Sequence, residues 1–160
     1  MTMHMHDILA KHLATIRGMR PAGYELQILE TGTIRQDTEA HRLGDGWSTV
    51  AFAEDVIKNG GHVTSIDLEI HTAQQVLTRE GVIDDVTLRQ GYSVDWLASM
   101  LEAGQRFDVI LLDSDNDAQL ILHEFMLARH LLNRPGMILV DDVVPGSREV
   151  VKGHELLPWL

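Results

Sequence analysis

Acidic residues close four apolar runs in this sequence: Glu30 after Ile28 and Leu29, Asp67 after Ile66, Asp113 after Val109 to Leu112, and the pair Asp141 and Asp142 after Ile138 to Val140. A carboxylate at the mouth of a buried strand can accept the paired hydroxyls of a ribose, hold a hard divalent cation, or move a proton. Carboxylates gathered without a cation repel one another and drive at least one pKa upward, and an oxygen-seeking ion removes that conflict. The plain alternatives are a solvated turn before Pro145-Gly146 for the Asp141-Asp142 pair and a helix N-cap for Asp67.

Two glycine-containing stretches could bring backbone close to a ligand: Glu30-Thr31-Gly32-Thr33, and Gly44-Asp45-Gly46-Trp47-Ser48-Thr49 at the start of a helical pattern. The second would offer the unpaired N–H groups of a helix N-terminus, unless Ser48 or Asp45 merely caps it. The interval from Gly32 to Asp67 exceeds the roughly 20 residues of a dinucleotide motif, and the excess falls in a polar insertion, Arg35 to Leu43. A strict GxGxxG is absent, which argues against a nicotinamide-dependent oxidoreductase. The nine histidines are scattered. His123 and His130 read as packing or surface residues of one helix, and His41, in the insertion, is the one placed to meet a substrate.

These residues must be positioned by the elements around them. Helical spacing from His4 to Met19 predicts a leading helix, stopped by Gly18 to Gly23. Strands are predicted at Leu26 to Thr31, Val63 to Leu68, Val86 to Gln90, Phe107 to Asp113 and Met137 to Asp141, with helices between them at Gly46 to Lys58, Ile70 to Glu80, Ser93 to Ala103 and Asp117 to Asn133. A last helix is predicted from Arg148 to Leu157. Strand and helix alternate, so the fold class is α/β, with a mostly parallel, doubly wound sheet and helices on both faces. Its acids then gather on the rim formed by the carboxyl ends of the strands, where ligands bind in such sheets.

Composition bounds the function. The chain has 160 residues, 44% of them hydrophobic and 23% charged, as expected of one globular domain spanning 1–160: leading helix and turn 1–23, core 24–144, C-terminal helix 145–160. A net charge of −11 disfavours a nucleic-acid partner. With no cysteine there is no thiolate nucleophile and no Cys-type metal site. No apolar run reaches the roughly 18 residues of a membrane span, and no signal peptide is evident, so the expectation is a cytoplasmic protein without a membrane partner.

The ordered set Glu30-Thr31-Gly32, Gly46-Trp47-Ser48-Thr49, Ser65-Ile66-Asp67, Gly91-Tyr92-Ser93, Phe107 to Asp113 and Pro135 to Asp142 resembles the class I S-adenosylmethionine-dependent methyltransferases. Within them it is similar to the metal-dependent small-molecule O-methyltransferases and the cephalosporin-hydroxylase-like branch. The resemblance implies a Rossmann-like sheet of order 3-2-1-4-5. It implies that Glu30 and Gly32 line the methionine part of the cofactor, with Gly46 and Ser48 beside them. Asp67 would hold the ribose, and Gly91 and Ser93 would border adenine. Asp113, Asp141 and Asp142 match positions that bind a divalent cation, commonly magnesium, and Asp113 is shared between metal, cofactor and chemistry. The implied reaction is metal-assisted methylation of a hydroxyl on a small-molecule acceptor.

The sequence departs from its relatives in two ways. Where they often place His after the fourth-strand acid, it has Asn116, so proton removal falls to Asp115, to another residue, or to metal and water. The usual C-terminal strand hairpin is missing before Leu160, leaving the fifth strand as an apolar edge. That edge, with Leu156, Leu157, Trp159 and Leu160, leads to the expectation of a homo-oligomer, most simply a dimer. The competing reading is a catalytically silent cofactor-binding domain with a regulatory or assembly role.

Overall fold

The computed structural model describes residues 5–44 and 47–159, with backbone only for 43 and 44. The five β-branched and aliphatic runs form strands β1 (Leu26–Thr31), β2 (Gly61–Asp67), β3 (Val86–Gln90), β4 (Phe107–Leu112) and β5 (Leu132–Val140). Every pairing is parallel and the order is β3-β2-β1-β4-β5. Helix α1 (Met5–Gly18) precedes β1, and the connections run through helices α2 (Glu39–Gly44), α3 (Ser48–Asn59), α4 (His71–Glu80), α5 (Ser93–Glu102) and α6 (Ala118–Leu131). No helix among the described residues is long and apolar enough to cross a membrane.

Strand alternation divides the core into two layers. Ile28, Val63, Val109 and Leu111 face Leu13 of α1, Phe52 of α3 and Val76 of α4. Leu29, Ile66, Ile110 and Leu112 face Leu97 of α5 and Ile121 of α6. A strand buried on both faces carries a near-continuous apolar run, as Val109 to Leu112 of β4 does. Helix α6 begins where its sequence provides a cap: the Asp117 carboxylate accepts the Gln119 and Leu120 N–H groups at 2.8 and 3.1 Å.

Two expected elements differ. β5 starts at Leu132 rather than Met137, because Leu132 pairs with Phe107 before the ladder resumes at Met137 opposite Val109. Pro135, which has no N–H to donate, sits in the intervening irregularity. The predicted helix from Arg148 to Leu157 does not form; the segment is a series of turns ending in a 3-10 turn at Leu157–Trp159. Its N–H groups have another partner: the Asn116 side-chain oxygen accepts Val151 and Lys152 N–H, each at 3.0 Å. Gly153 also runs so close to Val143 that a Cβ would meet Cγ1 at 2.6 Å.

Candidate active site

Parallel pairing puts the ends of β1, β2 and β4 side by side, and the loops that leave them touch through backbone. Gly32 N–H donates to the Ile66 carbonyl and Asp113 N–H to the Thr31 carbonyl, both at 2.8 Å. Gly32 has φ +90°, and a Cβ there would lie 2.3 Å from the Asp113 carbonyl oxygen. Only glycine fits this approach, so its place in the motif has a backbone reason before any ligand is considered.

Glu30, at the end of β1, lies beneath the rim and is 1% exposed. Its carboxylate accepts hydrogen bonds from Ser48, from Thr49 at 2.5 Å and from Ser65 at 2.7 Å, tying the first turn of α3 to β1 and β2. Burial pushes its carboxyl pKa up to about 7, the hydroxyl donors opposing the rise only in part. Neutral donors satisfy the lone pairs but do not cancel the charge. Gly46 and Asp45, at the entry to this turn, lie outside the described residues, as does Leu160.

Asp67 is not a helix cap; α4 is preceded by Ile70 without a side-chain cap. The Asp67 carboxylate instead accepts Thr33 N–H at 3.0 Å and the Arg35 Nε at 3.2 Å. The Arg35 guanidinium also donates to the Ser114 carbonyl, so it spans from the end of β2 to the loop after β4. Gly91 N–H donates to the Asp67 carbonyl at 2.9 Å, which brings the end of β3 to the same rim. Ser93 opens α5 and is nearly buried. Tyr92 beside it is 69% exposed, whereas Trp96 packs against the second core layer with Nε1 on the Gln90 carbonyl at 3.1 Å.

On the other side of Arg35 lies a cleft of about 490 Å³, lined by Thr33, Arg35, Trp47, Ser48, Asp113, Asp115, Asn116, Asp141, Asp142 and Lys152, among others. Asp113, Asp141 and Asp142 each offer a carboxylate oxygen within 4.8 Å of the other two. Burial raises the pKa of Asp113, with the Lys152 ammonium opposing it. Burial and the charges of Asp113 and Asp142 raise that of Asp141. Asp142 takes a left-handed backbone, φ 55°, which aspartate tolerates better than most residues. Three hard oxygen donors that repel one another suit a divalent cation, and an ammonium already stands on one of them: Lys152 Nζ is 2.6 Å from Asp113 Oδ1. Asp115 is exposed, with one oxygen taken by Asn116 N–H at 2.7 Å. The cleft thus unites Ser48 with the acids, while Asp67, Gly91 and Ser93 lie on the adjoining stretch of rim beyond Arg35.

Comparison with known proteins decides the family. Residues 42–143 match a family described as a methyltransferase domain. The chain belongs to this methyltransferase domain family. It is 32% identical over 134 residues to a catechol O-methyltransferase from Niastella koreensis, an alignment covering 82% of this chain and 55% of that protein. The chain therefore spans about half the length of this curated relative. Among solved structures, it is similar to an S-adenosylmethionine-dependent methyltransferase from Agrobacterium tumefaciens, with TM-score 0.61 and 14% identity, covering 90% of this chain and 48% of the other. It is also similar to the MycE methyltransferase of the mycinamycin biosynthetic pathway, solved with Mg, S-adenosylhomocysteine and mycinamycin VI, with TM-score 0.59 and 14% identity, covering 88% and 33%. The five-stranded parallel order is the fold these structures share with the methyltransferase domain.

Sequence reasoning missed Lys152, Arg35 and Glu124, and named Trp47 only within a motif. Lys152 was hidden in a stretch patterned like a helix. Arg35 belongs to the polar insertion, which is tied both to α4, where Arg79 grips Asp37 at 2.5 and 3.0 Å, and to the rim through Arg35 itself. Trp47 adopts φ 41°, uncommon for a bulky residue, with the Arg42 and Arg79 guanidinium groups 5.3 and 5.8 Å from its ring. Glu124, fully buried on α6, accepts the Thr31 hydroxyl at 3.0 Å, and burial raises its pKa. A charged residue on an apolar helix face was the available signal. His41 lines the cleft and bonds the Thr38 hydroxyl at 2.7 Å, while His123 and His130 are exposed.

Proposed function

We propose that this methyltransferase domain carries out S-adenosylmethionine-dependent methylation of a hydroxyl on a small molecule, assisted by a divalent cation such as magnesium. The observation that carries the reading is the carboxylate set Asp113, Asp141 and Asp142 in a cleft walled by Thr33 and Ser48, next to Asp67 on the same rim. The catechol O-methyltransferase relative supports an acceptor with adjacent hydroxyls on an aromatic ring. When bound, the cofactor supplies an electrophilic methyl carbon and the cation supplies the charge that weakens the acceptor's O–H bond.

The chain's own residues then have separable tasks. Asp67 accepts the ribose hydroxyls in place of its present donors. Glu30 anchors Ser48 and Thr49, so the first turn of α3 is held where Gly32 and Ser48 meet the methionine end, a role the sequence motif extends to Gly46. Gly91 and Ser93 border the adenine. Asp113, Asp141 and Asp142 hold the cation, Asp113 being shared with the cofactor, and Asp115 is the exposed carboxylate at the cleft able to take a proton. Fixed geometry of this kind supplies much of the rate of an in-line displacement. A silent cofactor-binding role is favoured by one observation: the Asn116 amide bonds the backbone of Glu149, Val151 and Lys152 and has no proton-accepting role.

Calorimetric titration with S-adenosylmethionine, with and without magnesium, followed by assay of S-adenosylhomocysteine formation with catechol, tests the reading. Binding with turnover supports it; binding without turnover on any hydroxyl acceptor favours the silent role; no binding removes both. We also propose a dimer through the outer edge of β5, which has no strand partner among the described residues, with Trp159, an exposed large apolar residue of the C-terminal segment, as a further apolar contact. Light scattering over a concentration series checks it, and a monomer mass throughout would refute it.

A further inference from the structure

Lys152 is unlike a surface lysine. Its side chain is 4% exposed, against 35% for the Asp113 carboxylate it contacts at 2.6 Å. A buried stem and a buried ammonium demand that the backbone beneath them be held, and here it is held from two sides. The Asn116 side chain receives Val151 and Lys152 N–H at 3.0 Å and donates to the Glu149 carbonyl at 2.9 Å. Beyond Lys152, Gly153 lies against Val143, and fully buried Leu156 is fixed in the second core layer. Asn116 thus has a use: it pins the segment that delivers an ammonium to the acid set.

We propose that Lys152 is a built-in counter-ion of the Asp113, Asp141 and Asp142 set and competes with the divalent cation for Asp113, with Asn116 as the positioning residue that holds it there. The inference rests on the metal reading above and adds that the C-terminal segment sets the metal affinity. An ammonium in contact with a carboxylate neutralises part of the charge that attracts a divalent ion, and two cations on one carboxylate repel. The ion therefore enters only as Lys152 yields its contact.

The test measures Mn²⁺ binding directly, by the loss of the free-ion paramagnetic resonance signal, on the 160-residue chain. Lys152→Met, which keeps an unbranched side chain one atom shorter and removes the charge, should tighten Mn²⁺ binding about tenfold. Its melting temperature should fall without metal and recover at saturating Mn²⁺, giving a larger metal-induced shift than the parent. Lys152→Arg should keep the parent's affinity. Asn116→Ala, which frees the segment but leaves the ammonium, should tighten binding by a smaller factor and keeps the proposal testable if Lys152→Met does not fold. Parent binding of Mn²⁺ with no tightening in Lys152→Met or Asn116→Ala overturns the competition alone. No Mn²⁺ binding by parent or variants overturns the competition and the metal reading together.

Discussion

The two ends of strand β4 carry aspartates five residues apart with opposite surroundings. Asp108, at the start, is fully buried and meets a saturated set of donors: the Arg20 guanidinium, the Tyr24 hydroxyl at 3.2 Å, Gln27 N–H at 2.8 Å and Asn133 Nδ2 at 2.9 Å. Asp113, just past the end, has one ammonium and two further carboxylates for neighbours and opens onto the cleft. One carboxylate closes a structure and the other leaves work to be done. In a parallel sheet the amino-end rim is free to be optimised for stability, while the carboxyl-end rim gathers groups whose demands are unmet until a ligand arrives.

Removing Asp108 should break this contrast most severely. Asp108→Ala leaves the Arg20 charge and three donors without their acceptor, and we expect a loss of about 3 to 5 kcal/mol in denaturant unfolding. A loss below about 1 kcal/mol would show that the amino-end rim is not the stabilising one.

Next comes the pH dependence of stability. The Glu30 carboxyl keeps its proton in the folded chain up to about pH 7, whereas the unfolded chain releases it near its ordinary value of 4.5. The folded state therefore binds more protons across this window, and stability, complete below it, declines as pH rises through 7. The raised pKa values of Asp113, Glu124 and Asp141 act in the same direction. The Glu30 contribution is roughly 3 kcal/mol, and Glu30→Gln should flatten that part of the curve. Unfolding free energies from pH 4 to 8 that do not decline would place the charge elsewhere.

Asp67→Ala sharpens the comparison from the ligand side. Loss of a charged acceptor for two hydroxyls should weaken S-adenosylmethionine binding by about 10- to 100-fold, read by calorimetry, while the unfolding midpoint changes far less. The smallest effect belongs to Asp141→Asn. It relieves repulsion among the acids in a partly solvated setting, so we expect a gain of about 0.5 to 1 kcal/mol near pH 8 together with weaker Mn²⁺ binding. A loss of stability would mean that Asp141 is held by favourable contacts rather than by the demands of a ligand.

Much of this was legible in the amino-acid order alone. The strand and helix alternation, the apolar run of β4 and the acids that close each strand were enough for a doubly wound parallel sheet with a carboxylate rim, because period and termination are local properties. The candidate site was legible as a list of strand-end residues for the same reason: parallel strands must bring Glu30, Asp67 and Asp113 to one edge. What tertiary structure alone decided is which of them meet. The contact between Arg35 and Asp67 divides the rim in two, and no spacing rule foretells it. The segment from Arg148 to Leu157 carries a helical pattern but forms only turns, because Asn116, more than thirty residues away in sequence, takes the N–H groups of Val151 and Lys152. Lys152 reaches Asp113 through that clamp and through the packing of Gly153 and Leu156 beyond it. Local sequence specifies which backbone groups need partners, and the partners themselves are chosen by a packing that is known only when the whole chain has folded.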